Sequence, residues 1–236
     1  MPKKEKIRDM FDSIAPGYDA FNHLASLNID RSWRRKAIRA VSGINPSAVL
    51  DVACGTGDST IALARALSPE CRITGVDISS EMLKVMEGKV ASEGLSDRIS
   101  AETGDAENLG FPDGSFDAVT CAFGVRNFED MENGIREMLR VLRPGGKLVI
   151  LELSMPSGRI LRKLYEVYFL HILPLLGKKI SGNAQAFRYL PSSVVNFPGK
   201  EEFTAILKNC GCKEISHRAL SFGLARLYTA TGSVSE

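Results

Sequence analysis

The sequence predicts an α/β fold: a mostly parallel seven-stranded sheet with helices on both faces and an antiparallel hairpin at its C-terminal edge. Between residues 47 and 154, short apolar runs alternate with segments of helical periodicity, which is the pattern of consecutive βαβ units. The segment 213–232 instead divides into two consecutive strands, which would extend the sheet at one edge. The length of 236 residues suits one large domain of this class.

The individual elements follow from local signals along the chain. Residues 5–40 are predicted to be helical. Five strands are predicted after them, at 47–54, 72–79, 99–106, 116–125 and 147–154. Helices are predicted at 60–67, 79–94, 131–142 and 200–212. The helix at 79–94 has a serine N-cap and stops at Gly94, and the turn RPGG at 143–146 closes the helix that precedes the fifth strand.

The regular alternation ends after residue 154. An apolar stretch at 158–179, flanked by basic residues, has a helix-like pattern. We therefore expect a single domain over 1–236. Within it, 1–40 would form an N-terminal helical cap, and 155–199 would form a lid or substrate-binding insertion.

Composition and charge exclude several classes of protein. A net charge of +2 argues against a dedicated nucleic-acid binder. The five cysteines form no CxxC pair, so no metal site is predicted. The basic start of the sequence has no apolar core behind it, so we expect no signal peptide. No apolar run approaches the roughly 20 residues of a membrane span. Together with the unpaired cysteines, this predicts a cytoplasmic protein.

The strongest functional signal is LDVACGTGD at 50–58, where a strand that reaches Asp51 runs into a tight turn with Gly55 and Gly57. Glycines let a ligand approach the backbone closely, and the helix that follows offers free N–H groups. Asp77 closes the next strand about 20 residues further on, where an acid can accept both hydroxyl groups of a ribose. The pattern predicts a nucleoside-containing ligand at the carboxyl ends of these two strands.

Two ligands of this kind can be compared with the details of the loop. A dinucleotide fingerprint has a third glycine where this sequence has Thr60, and Asp58 would repel a pyrophosphate. S-adenosylmethionine has no phosphate and carries a positive sulfonium and amine, whose charge Asp51 could offset. No Gly-Lys-Ser/Thr triplet follows the loop, which excludes a P-loop. A structural turn with a solvated acid is the alternative that needs no ligand.

A second signal lies in GDAENLGFPDGSFDAV at 104–119. Asp105 ends the third predicted strand, next to the place where an adenine would lie. A short polar side chain there can accept a hydrogen bond from the adenine amino group, while a neighbouring backbone N–H donates to the ring. The alternative is that Asp105 only caps the loop that follows it.

These motifs together resemble those of a known family. DVACGTGD, VDIS, GDAENLGFPDGSFD and RVLRPGGKLVILELS are similar to motifs of the class I S-adenosylmethionine-dependent methyltransferases, whose fold is Rossmann-like. The resemblance is closer still to the UbiE/MenG quinone C-methyltransferases. It lies in YDAFNHLASLNIDRSWRR at 18–35, in FGVRNF of the fourth strand and in FRYLPSSVVNFP at 187–198. It covers essentially the whole chain.

The resemblance implies methyl transfer from S-adenosylmethionine to a ring carbon of a polyprenylated quinol, such as demethylmenaquinol, in menaquinone biosynthesis. The alternatives are C-methylation of a benzoquinol precursor of ubiquinone, methylation of another small molecule, and a cofactor-binding protein that has lost catalysis. By position, the resemblance assigns the cofactor to Asp51, Gly55, Thr56, Gly57, Asp77, Ile78, Asp105, Ala106 and Ala122. The family often has a serine at the position of Ala122, so that contact is either absent or made by the backbone.

Arg126 and Asn127 are candidate catalytic residues, because FGVRNF sets them where a strand gives way to a loop. A reduced quinol, and better its phenolate, is the expected carbon nucleophile. Arg126 stays protonated and could stabilise the phenolate, while Asn127 could donate to a ring oxygen. The alternative for Arg126 is a structural ion pair with an acid such as Glu129 or Asp130. Tyr18 is a further candidate, because an N-terminal segment in this fold usually covers the cofactor.

The isoprenoid tail of a quinol needs an apolar route. The apolar residues within 160–176 would line one, or would touch a bilayer surface with the flanking bases against anionic headgroups. An ordinary lid or core helix is an equal alternative. We expect a cytoplasmic protein with peripheral contact at the inner face of the membrane and no nucleic-acid partner. The sequence leaves open whether it forms a homo-oligomer.

Overall fold

The computed structural model describes residues 4–156, 158, 162–163, 165, 167–168 and 184–232. The strands are β1 (Ala48–Val52), β2 (Arg72–Asp77), β3 (Ile99–Thr103), β4 (Phe116–Ala122), β5 (Leu142–Leu153), β6 (Lys213–Leu220) and β7 (Ala225–Thr231). The helices are α1 (Lys4–Ile14), α2 (Tyr18–Ala25), α3 (Ile29–Ser42), α4 (Asp58–Ala66), α5 (Ser80–Ser92), α6 (Met131–Arg140), α7 (Ala184–Val195) and α8 (Lys200–Asn209).

All seven strands form one sheet in the order β3-β2-β1-β4-β5-β7-β6. The first five strands are parallel, and β7 is antiparallel to both β5 and β6. The predicted mostly parallel sheet with an antiparallel C-terminal edge pair is therefore confirmed. The direction of strand addition reverses between β1 and β4, and ligands of such sheets bind outside the carboxyl ends of the strands at this point.

Alternate residues of the central strands face two separate apolar clusters. Val49 and Val149 pack on one face with α3, α4 and α5. Leu50 and Ile150 pack on the other face with α6 and α8. Because both faces are covered, these strands are apolar along most of their length rather than alternately polar. The predicted placement of helices on both faces is confirmed, and functional polar groups are left to the strand ends.

The fourth strand is shorter than predicted. It ends at Ala122 instead of 125, because Phe123 has a φ angle of 63° and left-handed backbone cannot continue a strand. A short 3₁₀ turn, Val125–Asn127, follows. The apolar run therefore continues past the end of the strand, and Arg126 and Asn127 lie on a tight turn.

The predicted turn at 143–146 lies inside β5. Phe116 of β4 pairs with Leu142, whereas Ala118 pairs with Lys147, so the register shifts by several residues between them. Gly145, with a φ angle of 73°, belongs to the extra chain that this irregularity accommodates. The Pro-Gly-Gly sequence signals a change of direction, but the strand resumes its pairing immediately afterwards.

Two regions lie outside the regular alternation of strands and helices: the N-terminal segment and the segment that follows β5. The predicted helical character of 5–40 is confirmed, and the segment forms α1, α2 and α3. Helix α7 was not predicted, since Pro191 lies inside it and proline usually marks a helix boundary. Most of the apolar stretch at 158–179 falls outside the described residues. The assignments of 1–40 as a cap and 155–199 as an insertion stay predictions.

Replacing Ser79 by alanine should lower the free energy of unfolding by about 1–2 kcal/mol. The Ser79 hydroxyl accepts the Met82 N–H at the start of α5 over 3.1 Å and donates to Asp12 Oδ1 over 2.5 Å. Both bonds are lost in Ser79→Ala, and urea-induced unfolding measures the loss. The matched control is Ser80→Ala at the neighbouring exposed position, which should change stability by less than about 0.5 kcal/mol. Equal losses in the two variants would contradict the capping role.

Candidate functional site

A cavity lined with several carboxylate and hydroxyl groups, called the polar cavity below, lies at the carboxyl ends of β1 to β4. Seven of the nine residues predicted to bind a cofactor line it: Gly55, Thr56, Asp77, Ile78, Asp105, Ala106 and Ala122. The two others, Asp51 and Gly57, do not belong to its lining. Sequence positions spread over more than 60 residues therefore meet at one edge of the sheet, as expected for the ends of parallel strands.

The loop after β1 is held by the carboxylate that ends β2. Asp77 Oδ2 accepts the Gly55 N–H over 2.8 Å, and its Oδ1 accepts the Ser79 N–H over 2.9 Å. Burial raises the pKa of Asp77 to about 6, although these two N–H groups favour the charged form. A carboxylate oxygen can accept two hydrogen bonds, so Asp77 keeps acceptor capacity toward the cavity.

Asp51 lies below the loop, outside the lining of the cavity. Its side chain is buried beneath the loop, where Oδ2 accepts from Thr60 Oγ1 and Oδ1 from Thr120 Oγ1, each over 2.7 Å. Burial also raises the pKa of this carboxyl. Asp51 therefore braces β1 against α4 and β4, and its assignment to the cofactor stays a prediction.

Gly57 also serves packing below the loop. Its φ angle is 81°, and a Cβ atom at this position would lie 2.5 Å from Met86 Cγ. The glycine thus lets the loop rest directly on α5. This need is independent of the cofactor contact that the family resemblance implies for Gly57.

Helix α1 covers one end of the polar cavity. Lys4 pairs with Asp105 and lies 3.3 Å from Glu107 Oε2. The other oxygen of Asp105 accepts the Glu107 N–H over 2.9 Å, so Asp105 also caps its own turn. Both uses that the sequence suggested for this side chain are geometrically compatible, since it caps the turn and lines the cavity.

A network of charged side chains surrounds the opposite end of the cavity, near Thr56. Asp19 accepts from the Thr56 hydroxyl and from Lys89 Nζ, the latter over 2.8 Å. Lys89 also pairs with Asp58. Although burial opposes ionisation of Asp58, its hydrogen bond to Lys89 holds its pKa below the usual value. His23 lies between Asp58 and Asp30, at 3.4 and 3.3 Å.

A second, mostly apolar cavity adjoins the first. Its volume is about 250 Å³, compared with about 90 Å³ for the polar cavity. Its apolar lining includes Leu27, Ile29, Trp33, Leu153, Leu190 and Leu224. Tyr18, Arg34 and Phe123 line both cavities and so form the wall between them. The arrangement can hold a polar, nucleoside-like group beside a bulky apolar one.

Arg126 lies in the wall of the apolar cavity and is paired with an acid. Its side chain is 5% exposed, and Nη1 donates over 2.8 Å to Oε1 of Glu152, which is fully buried. The partner is therefore neither Glu129 nor Asp130. Although burial opposes the charge, Glu152 holds the pKa of Arg126 above its usual value.

Arg126 makes further hydrogen bonds to protein groups through Nε and Nη1, whereas its Nη2 makes none to the described residues. Nε donates to Ser193 Oγ of α7 over 3.3 Å, and Nη1 also donates to the Phe123 carbonyl. Nη2 has no hydrogen-bond partner among the described residues. Protein contacts thus fix Nε and Nη1 of the guanidinium. The N–H groups of Nη2 are left for a bound molecule.

Asn127 and Tyr18 occupy the boundary of the polar cavity. Asn127 Oδ1 accepts from the Tyr189 hydroxyl of α7 over 2.9 Å, and Nδ2 lies 3.4 Å from the Phe123 carbonyl. This fixes the amide, and Asn127 lines the polar cavity while Tyr18 lines both. Burial raises the pKa of Tyr18, although the charge of Arg126 acts in the opposite direction.

Sequence reasoning missed three residues of this site. The sequence does distinguish Glu152, because it is an acid within the apolar run KLVILELS. Nothing in the sequence marks Phe123 as a site residue, since an aromatic residue at a strand end normally belongs to the core. Arg34 stands in the basic segment WRRK, where nothing local distinguishes it from its exposed neighbour Arg35.

Comparison with known proteins agrees with this geometry. The sequence model of the ubiE/COQ5 methyltransferase family matches residues 1–232. A protein of Geobacter sulfurreducens named ubiquinone/menaquinone biosynthesis C-methyltransferase UbiE is 46% identical over 227 residues, or 96% of this chain and 88% of its own. A demethylmenaquinone methyltransferase of Bacteroides fragilis is 45% identical over 229 residues, or 97% of this chain and 93% of its own.

Solved structures are similar at the level of the fold. A SAM-dependent methyltransferase from Thermotoga maritima superposes with a TM-score of 0.65 at 18% identity, covering 95% of this chain and 99% of its own. The cyclase SpnF superposes with a TM-score of 0.71, also at 18% identity, covering 99% and 97%. The fold alone thus accompanies more than one chemistry. The family match over almost the whole length is what assigns this chain: it belongs to the ubiE/COQ5 methyltransferase family.

Proposed function

We propose that this protein transfers a methyl group from S-adenosylmethionine to a ring carbon of a polyprenylated quinol, converting demethylmenaquinol to menaquinol. The observation that carries the proposal is a pair of adjoining cavities, one lined with carboxylate and hydroxyl groups and the other mostly apolar, separated by Tyr18, Arg34 and Phe123. A methyl donor and an apolar acceptor must meet across such a boundary. The names of the relatives, which include demethylmenaquinone methyltransferases, support the choice of acceptor.

The residues of the polar cavity fit S-adenosylmethionine better than a phosphate-bearing nucleotide. Asp77 has acceptor capacity for ribose hydroxyls, and Asp105 with Ala106 suits an adenine edge. Asp19 and Asp58 surround the end near Thr56, where they favour a cationic group and disfavour phosphate. When bound there, S-adenosylmethionine supplies an electrophilic methyl group. The chain's own residues then have to orient the acceptor and keep water out.

Arg126 has the position and chemistry to stabilise an acceptor oxygen. Carbon methylation needs an electron-rich ring carbon, which a quinol provides and its phenolate provides better. Arg126 Nη2 is a charged donor in the wall of the apolar cavity, while Glu152 and Ser193 fix the other donors of the same guanidinium. A preorganised donor in a dry site stabilises a phenolate far more than water does. Asn127 Nδ2 is a second donor at the cavity boundary.

Location and partners belong to the same proposal. Within the described part of the chain, no helix is both long and apolar enough to cross a bilayer. We propose a cytoplasmic protein that meets its quinol at the inner face of the membrane and has no nucleic-acid partner. The apolar residues of 160–176 that would make this contact lie largely outside the described residues. Homo-oligomerisation is left to a measurement of the mass in solution.

The decisive experiment compares acceptors in their two redox states. The protein is incubated with methyl-labelled S-adenosylmethionine and either reduced or oxidised demethylmenaquinone. We expect label in menaquinol only with the reduced acceptor, because the oxidised ring is electron-poor. A prenylated benzoquinol belongs in the same series, since one relative is named for both ubiquinone and menaquinone biosynthesis. Transfer to the benzoquinol alone would overturn the choice of acceptor, and equal transfer to the oxidised quinone would overturn the mechanism.

Arg126→Lys should lower kcat about 100-fold while changing the dissociation constant of S-adenosylhomocysteine by less than about threefold. Lysine keeps a positive charge opposite Glu152, but it lacks the planar fork and the Nη2 donor. Steady-state kinetics and calorimetric titration measure the two quantities. Arg136→Lys is the matched control, because Arg136 is exposed and pairs with Glu132 on the surface of α6. Similar losses in turnover and in ligand binding would contradict a role confined to the acceptor.

Asp77→Asn should remove a pH dependence of ligand binding. Burial raises the pKa of Asp77 to about 6, so the side chain is charged above that value and protonated as the pH falls through it. Protonation occupies an oxygen that accepts ribose hydroxyls, so wild-type affinity for S-adenosylhomocysteine should fall about tenfold between pH 7 and pH 5. The variant should bind more weakly at pH 7 and show little slope. A slope that persists in Asp77→Asn would belong to another group.

A further inference from the structure

At one end of the polar cavity there are charged side chains that take no part in the proposed adenine and ribose contacts. With adenine at Asp105 and ribose at Asp77, the amino-acid part of the donor extends toward Thr56. Cations are scarce in this lining: among the described residues they are Lys4 and Arg34. Lys4 is at the adenine end, in contact with Asp105. Arg34 is therefore the cation of the opposite end.

The guanidinium of Arg34 is held in place without using all of its donors. Nη1 donates to Ser59 Oγ, and Cζ lies 5.0 Å from the ring centre of Phe123. Nε is buried without a hydrogen bond, at 3.6 Å from Asp30 Oδ2. Nη2 has no partner in the part of the chain that the structure describes. Asp30 offsets part of the guanidinium charge on the Nε side, and Nη2 is the donor left for an anionic ligand group.

Among the other charged side chains near Arg34, negative charge exceeds positive charge. Lys89 is shared between Asp19 and Asp58, so a single positive charge faces two carboxylates. Asp19 and Asp58 both line the cavity beside Arg34. An end that offers carboxylates and an arginine together matches a zwitterion, with an ammonium group on one side and a carboxylate on the other.

We propose that Arg34 binds the carboxylate of the donor's amino-acid end, with Asp19 and Asp58 receiving its ammonium group. The assignment rests on the proposed use of S-adenosylmethionine and adds a residue that the loop motifs do not include. Arg34 also lines the apolar cavity, so the same side chain would fix the donor at the wall across which the methyl group passes. A contact between Arg34 and an acceptor oxygen is the competing use, and ligand binding without acceptor separates the two.

The test combines two ligands with variants of Arg34. Calorimetric titration gives dissociation constants for S-adenosylhomocysteine and for decarboxylated S-adenosylhomocysteine, which retains the amine. For the wild type we expect the carboxylate to tighten binding about 30-fold, in the range of hydrogen bonds to charged groups. In Arg34→Gln this ratio should shrink to less than about threefold. In Arg34→Lys it should be intermediate, because the charge remains without the fork. The non-additivity of the two changes reports their contact.

A control variant and a set of defined results decide whether Arg34 binds the donor's carboxylate. Arg35→Gln, at the neighbouring exposed position, should keep the wild-type ratio. A wild-type ratio in Arg34→Gln or Arg34→Lys, whether or not both ligands bind more weakly, would overturn the proposal. A raised KM for the quinol with an unchanged ratio would assign Arg34 to the acceptor instead. If Arg34→Gln does not fold, Arg34→Lys decides. Failure of the wild type to bind either ligand would contradict the proposed donor itself, which is a distinguishable result.

Discussion

The ion pair between Arg126 and Glu152 is the contact on which the arrangement of the two cavities depends. Removing both charges from water costs several kcal/mol per ion, so the pair persists only with further hydrogen bonds. Glu152 also accepts the N–H groups of Arg126 and Leu153, and Arg126 donates to α7 through Ser193. The pair thereby joins the end of β5, the turn after β4 and α7. It acts together with the hydrogen bonds from Asn127 N–H to the Gly124 carbonyl and from Tyr189 to Asn127, which also hold this turn.

The lining of the polar cavity contains strained backbone at two positions. Ala53 and Phe123 have φ angles of 54° and 63°, in a region that costs residues with a side chain about 1–2 kcal/mol. The two turns approach so closely that a Cβ atom on Gly124 would lie 2.6 Å from the Ala53 Cβ. Strain at such a place persists because the neighbouring structure determines it. Here the ends of β1 and β4 are pressed together at the switch point, where Ala53 and Gly124 line the polar cavity.

The parts of this site that follow from sequence are those that topology brings together. Once β1, β2 and β3 are recognised as parallel, the residues after their carboxyl ends must meet, so Gly55, Asp77 and Asp105 could be placed in advance. Glu152 could not be paired with Arg126, because the contact joins positions 26 residues apart and depends on where β4 ends. That end was misjudged, because the apolar run continues beyond it. Arg34 was likewise unpredictable, since only the packing of α3 separates it from Arg35.

The N-terminal helices explain why the two cavities form one functional unit. Helix α1 reaches Asp105 through Lys4, α2 carries the Asp19 that holds Thr56, and α3 brings Arg34 to Ser59. The same segment supplies Trp33 to the apolar lining. A ligand in the polar cavity that contacts these helices would stabilise their observed position by mass action. Because α2 and α3 also line the apolar cavity, such a ligand would stabilise both cavities through the same helices.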